Sequence, residues 1–338
     1  MRSILLVHSP LVGPGTLEPL AAALRIHGHT VLCPDVRGAS TWADFTDVAV
    51  TSCRNSGFAP DVLVAHSGAG AVIPAIGSTL GVGRLVFLDA LLPPESGPWM
   101  PSDVMRSRLA TMAAGSATLP PWHEWWNPNM LRRLVPDERQ RLAIADECPA
   151  VPIALYDSAA PSIDAWSSPD SCVYIQLSNA YTDEAAEARE RAWSVIAHDG
   201  QHLDTATRPD IIAGLVDTAS RSTRVRVGDL ASLRLRGGVT VPRNAPKLLV
   251  VAPSDAGPFA VANECAHQGA ELLAGYVHQS NGTPWIECPL HMWRFELATG
   301  VRLIREERAD DPADRIATFP CAVDRTGMIW VDPGPVLP

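Results

Sequence analysis

Apolar segments alternate with amphipathic ones along the first two thirds of the chain. Six segments have the apolar, β-branched composition of buried strands: RSILLVHS, HTVLCPDVRG, PDVLVAHS, RLVFLDA, CVYIQLS and WSVIAHDGQH. Two others, LEPLAAALRIHG and RPDIIAGLVDTA, instead repeat apolar residues at helical spacing, and the first of them ends in glycine. Strands that alternate with helices form a mostly parallel sheet with helices on both faces. This part of the chain is therefore predicted to have a doubly wound α/β fold.

The pattern changes near residue 221, in the polar stretch TASRSTR. The chain beyond it consists of short β-rich segments with turn residues between them: VRVGDLASLRLRGG, APKLLVVAP, GPFAVANE and RIATFPCAVDRTGMIWVDPG. Most of the net charge of −10 also lies before this point. We therefore predict two domains, an α/β domain over residues 1–221 and a small all-β domain over residues 222–338.

The composition argues against several classes of protein. Hydrophobic residues make up 46% of the 338 residues, but no apolar run reaches the roughly 18 residues of a membrane span. The negative net charge disfavours a nucleic-acid partner. The run MRSILLVHSP has the character of a buried strand and lacks the cleavage site of a signal peptide, and the seven cysteines are irregularly spaced. We expect a cytoplasmic protein without a membrane contact or a disulfide framework.

A serine follows the third predicted strand. The stretch Ala65-His66-Ser67-Gly68-Ala69 leads from PDVLVAHS directly into GAGAVIPAIGSTL, a predicted helix. In such a turn, small neighbours let the strand and the helix approach closely, and the serine hydroxyl projects from a sharp elbow. The backbone N–H of Gly68 then faces the site of an oxyanion. We predict that Ser67 is a nucleophile.

A nucleophilic serine needs a base, and the base is held by an acid. His202, in AHDGQHLD, follows the last predicted strand and comes after Ser67 in chain order. We predict that His202 is the base. The nearby His198 is assigned no role.

With this serine and histidine, residues 1 to about 218 resemble the α/β-hydrolase superfamily, in particular its esterase and hydroxynitrile-lyase-like branch. The resemblance implies a cap inserted at about residues 93–167. In the cap, Trp122, Trp125 and Trp126 either line an apolar substrate pocket or simply pack the cap itself.

The resemblance leaves two candidates for the acid. The branch usually places it after the strand CVYIQLS, near Ala180, and Asp183 lies three residues further on in an exposed helix start. Some lipases of the superfamily instead keep the acid after the earlier strand, here RLVFLDA, which contains Asp89. We expect Asp89 to be the acid, with Asp183 as the alternative.

The loop after the first strand departs from the family pattern. The family usually has His-Gly-X there, and the N–H of X serves the oxyanion hole. In HSPLVGPG the matching residue is Pro10, which has no N–H. Either Leu11 supplies the donor through a shifted loop, or the Ser9 hydroxyl helps, or the hole is weakened by about 2.7–4 kcal/mol of transition-state stabilisation. The predicted oxyanion residues are therefore Gly68, Leu11 and Ser9.

Two short boxes in the all-β part each combine one cysteine with one histidine. Cys265 and His267 follow the segment FAVANE, and Cys288 and His291 follow TPWIE, so each box is predicted to lie on a loop after a strand. Zinc ligands usually come instead as a pair of cysteines and a pair of histidines. A binuclear iron cluster with two thiolates on one iron and two imidazoles on the other matches the mixed boxes better.

CAHQGAELLAG and CPLHMWRFELATG resemble the Rieske [2Fe–2S] domain beyond these four residues, over about residues 224–333. The resemblance implies that Cys265 and Cys288 hold one iron and that His267 and His291 hold the outer one. Met292 stands where glycine is common in the family. The resemblance also implies ferredoxin-like electron transfer, with a ferredoxin or flavin reductase as donor and an oxygenase or P450 as acceptor.

Three functions fit this pairing of domains. The first is a bifunctional protein, in which a serine hydrolase for an ester, thioester or amide of a small molecule is fused to a Rieske ferredoxin. The second is an electron-transfer protein with a catalytically inactive hydrolase scaffold, which Pro10 favours. The third is a hydrolase-fold lyase or cyclase with a structural or regulatory cluster. We expect the first.

Overall fold

The chain forms two units in a computed structural model: Met1–Ala188 with Ser194–Arg221, and Arg189–Trp193 with Ser222–Pro338. The structure describes residues 1–221, 224–241, 247–253, 256–280, 282–304, 307–308 and 314–333. None of the helices within these ranges has both the length and the apolar character that a bilayer span requires.

The first unit contains one large sheet and one small two-stranded sheet. Their strands are β1 (Ser3–Val7), β2 (Thr30–Leu32), β3 (Val62–Ser67), β4 (Arg84–Ala90), β5 (Thr118–Leu119), β6 (Val151–Pro152), β7 (Cys172–Gln176) and β8 (Ser194–Ala197). β5 pairs with β6, and the other six pair in parallel in the order β2-β1-β3-β4-β7-β8. The predicted parallel α/β sheet is confirmed.

Helices connect these strands. The α-helices are α1 (Glu18–Ile26), α2 (Trp42–Asn55), α3 (Ile73–Leu80), α4 (Asp103–Ala113), α5 (Pro128–Leu134), α6 (Glu138–Glu147), α7 (Ala154–Asp157), α8 (Thr182–Glu190), α9 (Asp204–Thr207) and α10 (Pro209–Arg221). Short 3-10 helices occupy Pro14–Thr16, Gly68–Val72, Trp122–Trp125 and Asn179–Tyr181.

Both faces of the parallel sheet are buried. On one face, Leu6 and Val86 belong to one apolar cluster with Leu20 of α1 and Val216 of α10. Successive side chains of a strand point to opposite faces, so Phe87 lies on the other face, and it is fully buried as well. This double burial explains why the strands of the sequence are continuous apolar runs rather than alternating ones.

Two elements of this unit differ from the sequence prediction. HTVLCPDVRG forms only the three-residue strand β2, and Pro34, soon after it, cannot donate a ladder hydrogen bond. α2 has no counterpart in the prediction. It begins with a capping box in which the Thr41 hydroxyl accepts the N–H of Asp44 and the Asp44 carboxylate accepts the N–H of Thr41. This Thr-x-x-Asp spacing was the available sequence signal for a helix start.

The region predicted as a cap contains α4 to α7 and the antiparallel pair of β5 and β6. α6 ends at Glu147, whose Oε2 accepts the N–H of Gly15 at 2.7 Å. A Cβ at Gly15 would lie 2.8 Å from that oxygen, so only glycine permits the contact without a shift. The glycine-containing loop after β1 is therefore hydrogen-bonded to the last residue of α6.

The second unit contains antiparallel sheets. Its strands are β9 (Val225–Asp229), β10 (Val239–Val241), β11 (Leu248–Val251), β12 (Phe259–Ala262), β13 (Tyr276–Ser280), β14 (Thr283–Glu287), β15 (Arg294–Glu296), β16 (Arg302–Ile304), β17 (Glu307–Arg308), β18 (Thr318–Phe319), β19 (Cys321–Val323) and β20 (Met328–Val331). The strand orders are β10-β11-β12-β18, β13-β14-β15-β16-β17 and β19-β20-β9. A 3-10 helix occupies Leu272–Ala274.

One predicted β-rich segment of this unit is partly helical. VRVGDLASLRLRGG forms β9 and then a helix, α11 (Leu230–Arg236). The Asp229 side chain caps the helix by accepting the N–H of Ser232 at 2.8 Å, and Gly237 ends it in the left-handed conformation. Both are ordinary helix boundary signals, and they outweigh the valines and leucines of the segment.

The fold gives a stability prediction at Gly70, in the turn after β3. A Cβ on Gly70 would lie 2.0 Å from the carbonyl oxygen of Leu91, whereas a Cβ on Gly83 meets nothing within 4 Å. Because backbone cannot yield as a flexible side chain does, Gly70→Ala is expected to lower the free energy of unfolding by about 1–3 kcal/mol. Gly83→Ala should change it by less than about 0.5 kcal/mol. Urea unfolding curves of both variants test this, and equal effects would contradict it.

Candidate functional site

Ser67 occupies a strained backbone position at the end of β3. Its φ is 59° and its ψ is −127°, a combination that residues other than glycine rarely adopt. The next residues form the 3-10 helix Gly68–Val72, and the pairing of β3 with β4 shifts register between His66 and Ser67. This strand–turn–helix geometry is that of a nucleophile elbow.

Asp89 lies at the end of the neighbouring strand β4 and is fully buried. Its Oδ1 accepts the N–H groups of Leu177 at 2.8 Å and Ser178 at 3.0 Å, and its Oδ2 accepts the Ser178 hydroxyl at 2.7 Å. The same Oδ2 lies 2.7 Å from Nδ1 of His202. The carboxylate therefore joins β4, the end of β7 and the loop that carries His202.

The pKa of Asp89 is lowered although burial, the largest single influence, raises it. The hydrogen bonds from His202, Ser178 and the Leu177 N–H outweigh the burial. An ionised carboxylate only accepts hydrogen bonds, so Nδ1 of His202 carries the proton and Nε2 is left as the basic nitrogen. The alternative acid, Asp183, lies in the first turn of α8, and the structure pairs His202 with Asp89 instead.

The His202 ring is held between two other rings. His66 stacks on it with centroids 4.5 Å apart, and Tyr181 stacks on it with centroids 5.2 Å apart and planes inclined by 16°. Nε2 of His66 also lies 3.0 Å from the His202 carbonyl oxygen. Burial, followed by the nearby His202, lowers the pKa of His66 to about 3, so His66 is a neutral ring at this position.

Tyr181 is the partner of the Ser67 hydroxyl. The two oxygens are 3.1 Å apart, and within the described residues this contact replaces a direct Ser67–His202 hydrogen bond. Burial raises the pKa of Tyr181, so its hydroxyl stays protonated. Sequence reasoning did not single out Tyr181. Its signal was indirect, because it follows Ala180, where the resemblance expects an acid that this chain lacks.

A small cavity lies beside Ser67 on the side of the loop after β1. Its volume is about 20 Å³, enough for one oxygen atom of water size, and its lining includes Ser9, Leu11, Ser67 and His202. Leu11 directs its N–H to the Ser9 hydroxyl oxygen at 3.4 Å. A Cβ on Gly68 would lie 3.0 Å from that same oxygen, so Gly68 and Leu11 both lie close to the Ser9 hydroxyl.

A second, larger cavity also includes Ser67 in its lining. Its volume is about 760 Å³, in the range of small-molecule sites. Ser67, Tyr181 and His202 form its floor, and the region predicted as a cap supplies an apolar lining that includes Trp122, Trp125, Trp126, Met105, Met112 and Leu109. The three tryptophans thus line a pocket, as one of the two sequence-based interpretations had it.

The two cysteines of the mixed boxes lie together in the second unit. Cys265 follows β12 and Cys288 follows β14, and both belong to one buried apolar cluster with Phe295. Their side chains are only 2% and 1% exposed. Burial raises the pKa of Cys265, and the N–H groups of His267 and Gln268 point at its sulfur and oppose that effect.

The two histidines of the boxes lie on the solvent side of these cysteines. The ring centroids of His267 and His291 are 4.6 Å apart, with planes inclined by 74°. Trp293 stacks on His267 at 4.4 Å with planes only 7° apart, and the Arg302 guanidinium covers the other face of Trp293 at 3.3 Å from the ring centroid. This stack fixes the plane of one imidazole.

The backbone conformation at Met292 is one that favours glycine, the residue common at this position in the family resemblance. Its φ is 55°, a left-handed conformation that glycine adopts without strain, and its side chain is 70% exposed beside His291. Its N–H closes the turn by donating to the Cys288 carbonyl oxygen at 3.1 Å.

The donor set fits a [2Fe–2S] cluster better than a single metal ion. No three Cys, His, Asp or Glu side chains within the described ranges are grouped around one ion. A binuclear cluster needs only two protein ligands for each iron, because sulfides complete the coordination. Paired buried thiols and paired outward imidazoles meet that requirement.

Comparison with known proteins identifies both units. The model of the alpha/beta hydrolase family matches residues 4–215. The chain belongs to the alpha/beta hydrolase family. The model of the Rieske [2Fe-2S] domain matches residues 223–320, so this alpha/beta hydrolase also carries a [2Fe–2S] cluster-binding domain.

Two relatives illustrate these assignments. An extracellular alpha/beta-hydrolase from a Paenibacillus species, described as similar to tobacco salicylic acid binding protein 2, is 20% identical, with a TM-score of 0.51 over 65% of this chain and 100% of its own. At that identity it supports the fold alone. The methylxanthine N3-demethylase NdmB of Pseudomonas putida is 34% identical over 85 residues, which are 25% of this chain. The match spans only 24% of the length of that relative.

The buried carboxylate gives a prediction for this hydrolase-family site. Asp89→Asn is expected to slow reaction of Ser67 with an ester by about 10²–10⁴-fold, because the amide no longer holds His202 in its basic tautomer. Asp183→Asn is the matched control and should react like the wild type. A rate loss in Asp183→Asn instead would contradict the assignment.

The same carboxylate makes the stability of the fold depend on pH. Because the pKa of Asp89 is lowered in the folded protein, its ionised form stabilises the fold above its ordinary pKa. This stabilisation is lost as the pH falls through the lowered pKa of the folded protein.

Proposed function

We propose that the alpha/beta hydrolase unit is a serine hydrolase that cleaves an ester, thioester or amide of a small molecule. The observation that carries the proposal is Ser67 on a strained elbow, beside a histidine whose Nδ1 lies 2.7 Å from a buried carboxylate. Strain of this kind persists at a position where the surrounding structure enforces it. A strained conformation at a serine therefore supports a catalytic role for that serine.

We infer the roles of these residues from the general mechanism of serine hydrolases, in which the Ser67 hydroxyl would turn from Tyr181 to His202. His202 Nε2 takes the proton of the Ser67 hydroxyl as Oγ bonds the substrate carbonyl carbon, and Asp89 stabilises the resulting imidazolium. The carbonyl oxygen becomes an oxyanion in the small cavity, near the Gly68 N–H and Ser9. His202 then returns the proton to the leaving group, and water repeats the sequence on the acyl-enzyme.

The substrate class follows from the large cavity. A volume of about 760 Å³ accommodates a small molecule rather than a polymer segment, and the tryptophan, methionine and leucine lining favours an aromatic or aliphatic body. Polar groups also line the cavity: Ser178, Asn179 and Gln201 from the loops near Ser67, and the charged side chains Arg108, Arg133 and Glu184. We propose a substrate with an apolar body and with its reactive carbonyl next to Ser67.

We further propose that the Rieske domain transfers electrons for an oxygenase or P450, with a ferredoxin or flavin reductase as the donor. A bound [2Fe–2S] cluster takes up and releases single electrons. Buried Cys265 and Cys288 would hold its inner iron and His267 and His291 its outer iron. The outward position of the two imidazoles supports an exchange of electrons with a separate protein.

Two observations favour the second candidate, an electron-transfer protein with an inactive hydrolase scaffold. The Ser67 hydroxyl is bonded to Tyr181 rather than to His202, and Pro10 removes one backbone donor from the usual oxyanion loop. A scaffold of this kind would keep the cavity but not the reaction. Chemical labelling of the serine separates the two candidates.

A fluorophosphonate probe is expected to label the wild-type protein at Ser67 and to leave Ser67→Ala unlabelled, because only an activated serine reacts with it. Ser78→Ala, on α3 of the same unit, is the matched control and should be labelled like the wild type. Peptide mass spectrometry locates the adduct. No adduct on the wild type would favour the inactive scaffold.

His291→Ala is expected to lose the optical and EPR signals of the Rieske cluster, because the outer iron would lose one of its two protein ligands. His278→Ala is the matched control, since His278 lies on β13 of the same unit and stacks on Trp285. It should keep both signals. Unchanged spectra in His291→Ala would overturn the ligand assignment.

A further inference from the structure

Tyr181 stands where this chain departs from its family resemblance. The resemblance expects an acid in the loop after β7, but here the carboxylate that meets His202 comes from β4. The 3-10 helix Asn179–Tyr181 fills the loop after β7 and brings a phenol hydroxyl to the reacting serine. With the acid on β4, the loop position is open to a different chemical group.

The two cavities beside Ser67 differ in whether Tyr181 lines them. The small cavity is lined by Ser9 and Leu11 together with Ser67 and His202, and Tyr181 is not part of that lining. The large cavity includes Tyr181, Ser67 and His202 in its lining. Tyr181 therefore lines the large cavity and not the small one, whereas Leu11, Ser67 and His202 line both.

Two contacts position the ring of Tyr181, one with His202 and one with Ser67. It lies nearly parallel to His202, with planes 16° apart, and its oxygen is 3.1 Å from the Ser67 Oγ. Burial raises its pKa, so the phenol is available as a hydrogen-bond donor and not as a base. A leaving-group atom bonded to the carbon that Ser67 attacks lies next to Oγ, within reach of the same hydroxyl.

We propose that Tyr181 is a catalytic residue that donates a hydrogen bond to the leaving-group atom while its bond to the carbonyl carbon breaks. This role rests on the proposed hydrolase function. In the step, the carbon–leaving-group bond breaks, its electron pair stays on the leaving atom, and the proton that neutralises the atom comes from His202 Nε2. The Tyr181 proton remains on the phenol. During the step its O–H is directed at the leaving atom instead of at Ser67 Oγ, which lies 3.1 Å from the phenol oxygen before the reaction.

The dependence of rate on leaving group tests this role. Tyr181→Phe retains the ring that stacks on His202 and removes only the hydroxyl. For a series of esters of one acid, from p-nitrophenyl to alkyl, kcat/KM of the variant should stay near the wild-type value for p-nitrophenyl. It should fall by about 10–100-fold for alkyl leaving groups, which develop more charge. A purely structural change would reduce all members of the series by the same factor.

Tyr156→Phe is the matched control, since Tyr156 is a buried tyrosine of the same unit that packs on Trp42. It should leave the leaving-group dependence unchanged. A uniform loss across the series in Tyr181→Phe would overturn the proposal in favour of simple positioning of Ser67. A uniform gain would overturn it in favour of a restraint on Ser67. If the wild type neither reacts with fluorophosphonate nor hydrolyses any ester, the hydrolase function itself fails, which is a different result.

Discussion

The hydrogen bond between His202 and the buried Asp89 carboxylate is the constraint on which the rest of the hydrolase site depends. A fully buried carboxylate is costly unless its oxygens are satisfied, and here four donors from two segments of chain satisfy it. Asp89 itself adopts a positive φ of 45° to reach them. Removal of the Asp89 carboxylate would remove the hydrogen bonds that connect β4 with the end of β7 and with the His202 loop. The geometry around Ser67 therefore follows from the way one charge is buried.

In both units the candidate site residues lie where strands end. Loops there can carry polar groups that a packed core cannot accommodate. Ser67 and Asp89 end neighbouring parallel strands, and the cysteines of the mixed boxes follow antiparallel ones. The buried cysteines and the outward histidines divide the cluster site into an inner half and an outer half. The chain thus carries one candidate site in each unit, and their presence in one polypeptide is an associational reason to expect related steps.

The sequence predicted what depends on local pattern and on residue type. RLVFLDA matched β4 residue for residue, and the buried strands were recognised because burial on both faces leaves continuous apolar runs. The helix after Asp229 was missed because its capping residues were given less weight than its β-branched neighbours. Tyr181 had only an indirect sequence signal, since its contact with Ser67 depends on the segments after β3 and β7 meeting in the folded chain. The shape of the cavities depends likewise on packing between distant segments.

The most direct test of this account is the ¹H NMR resonance of the proton on His202 Nδ1. If that proton is shared with the buried Asp89 carboxylate, it should appear far downfield of the amide region and be protected from exchange with water. It should disappear in His202→Gln and persist in His198→Gln, since His198 lies next to Asp204 instead. A downfield resonance that survives in His202→Gln, or its absence from the folded wild-type protein, would contradict the account.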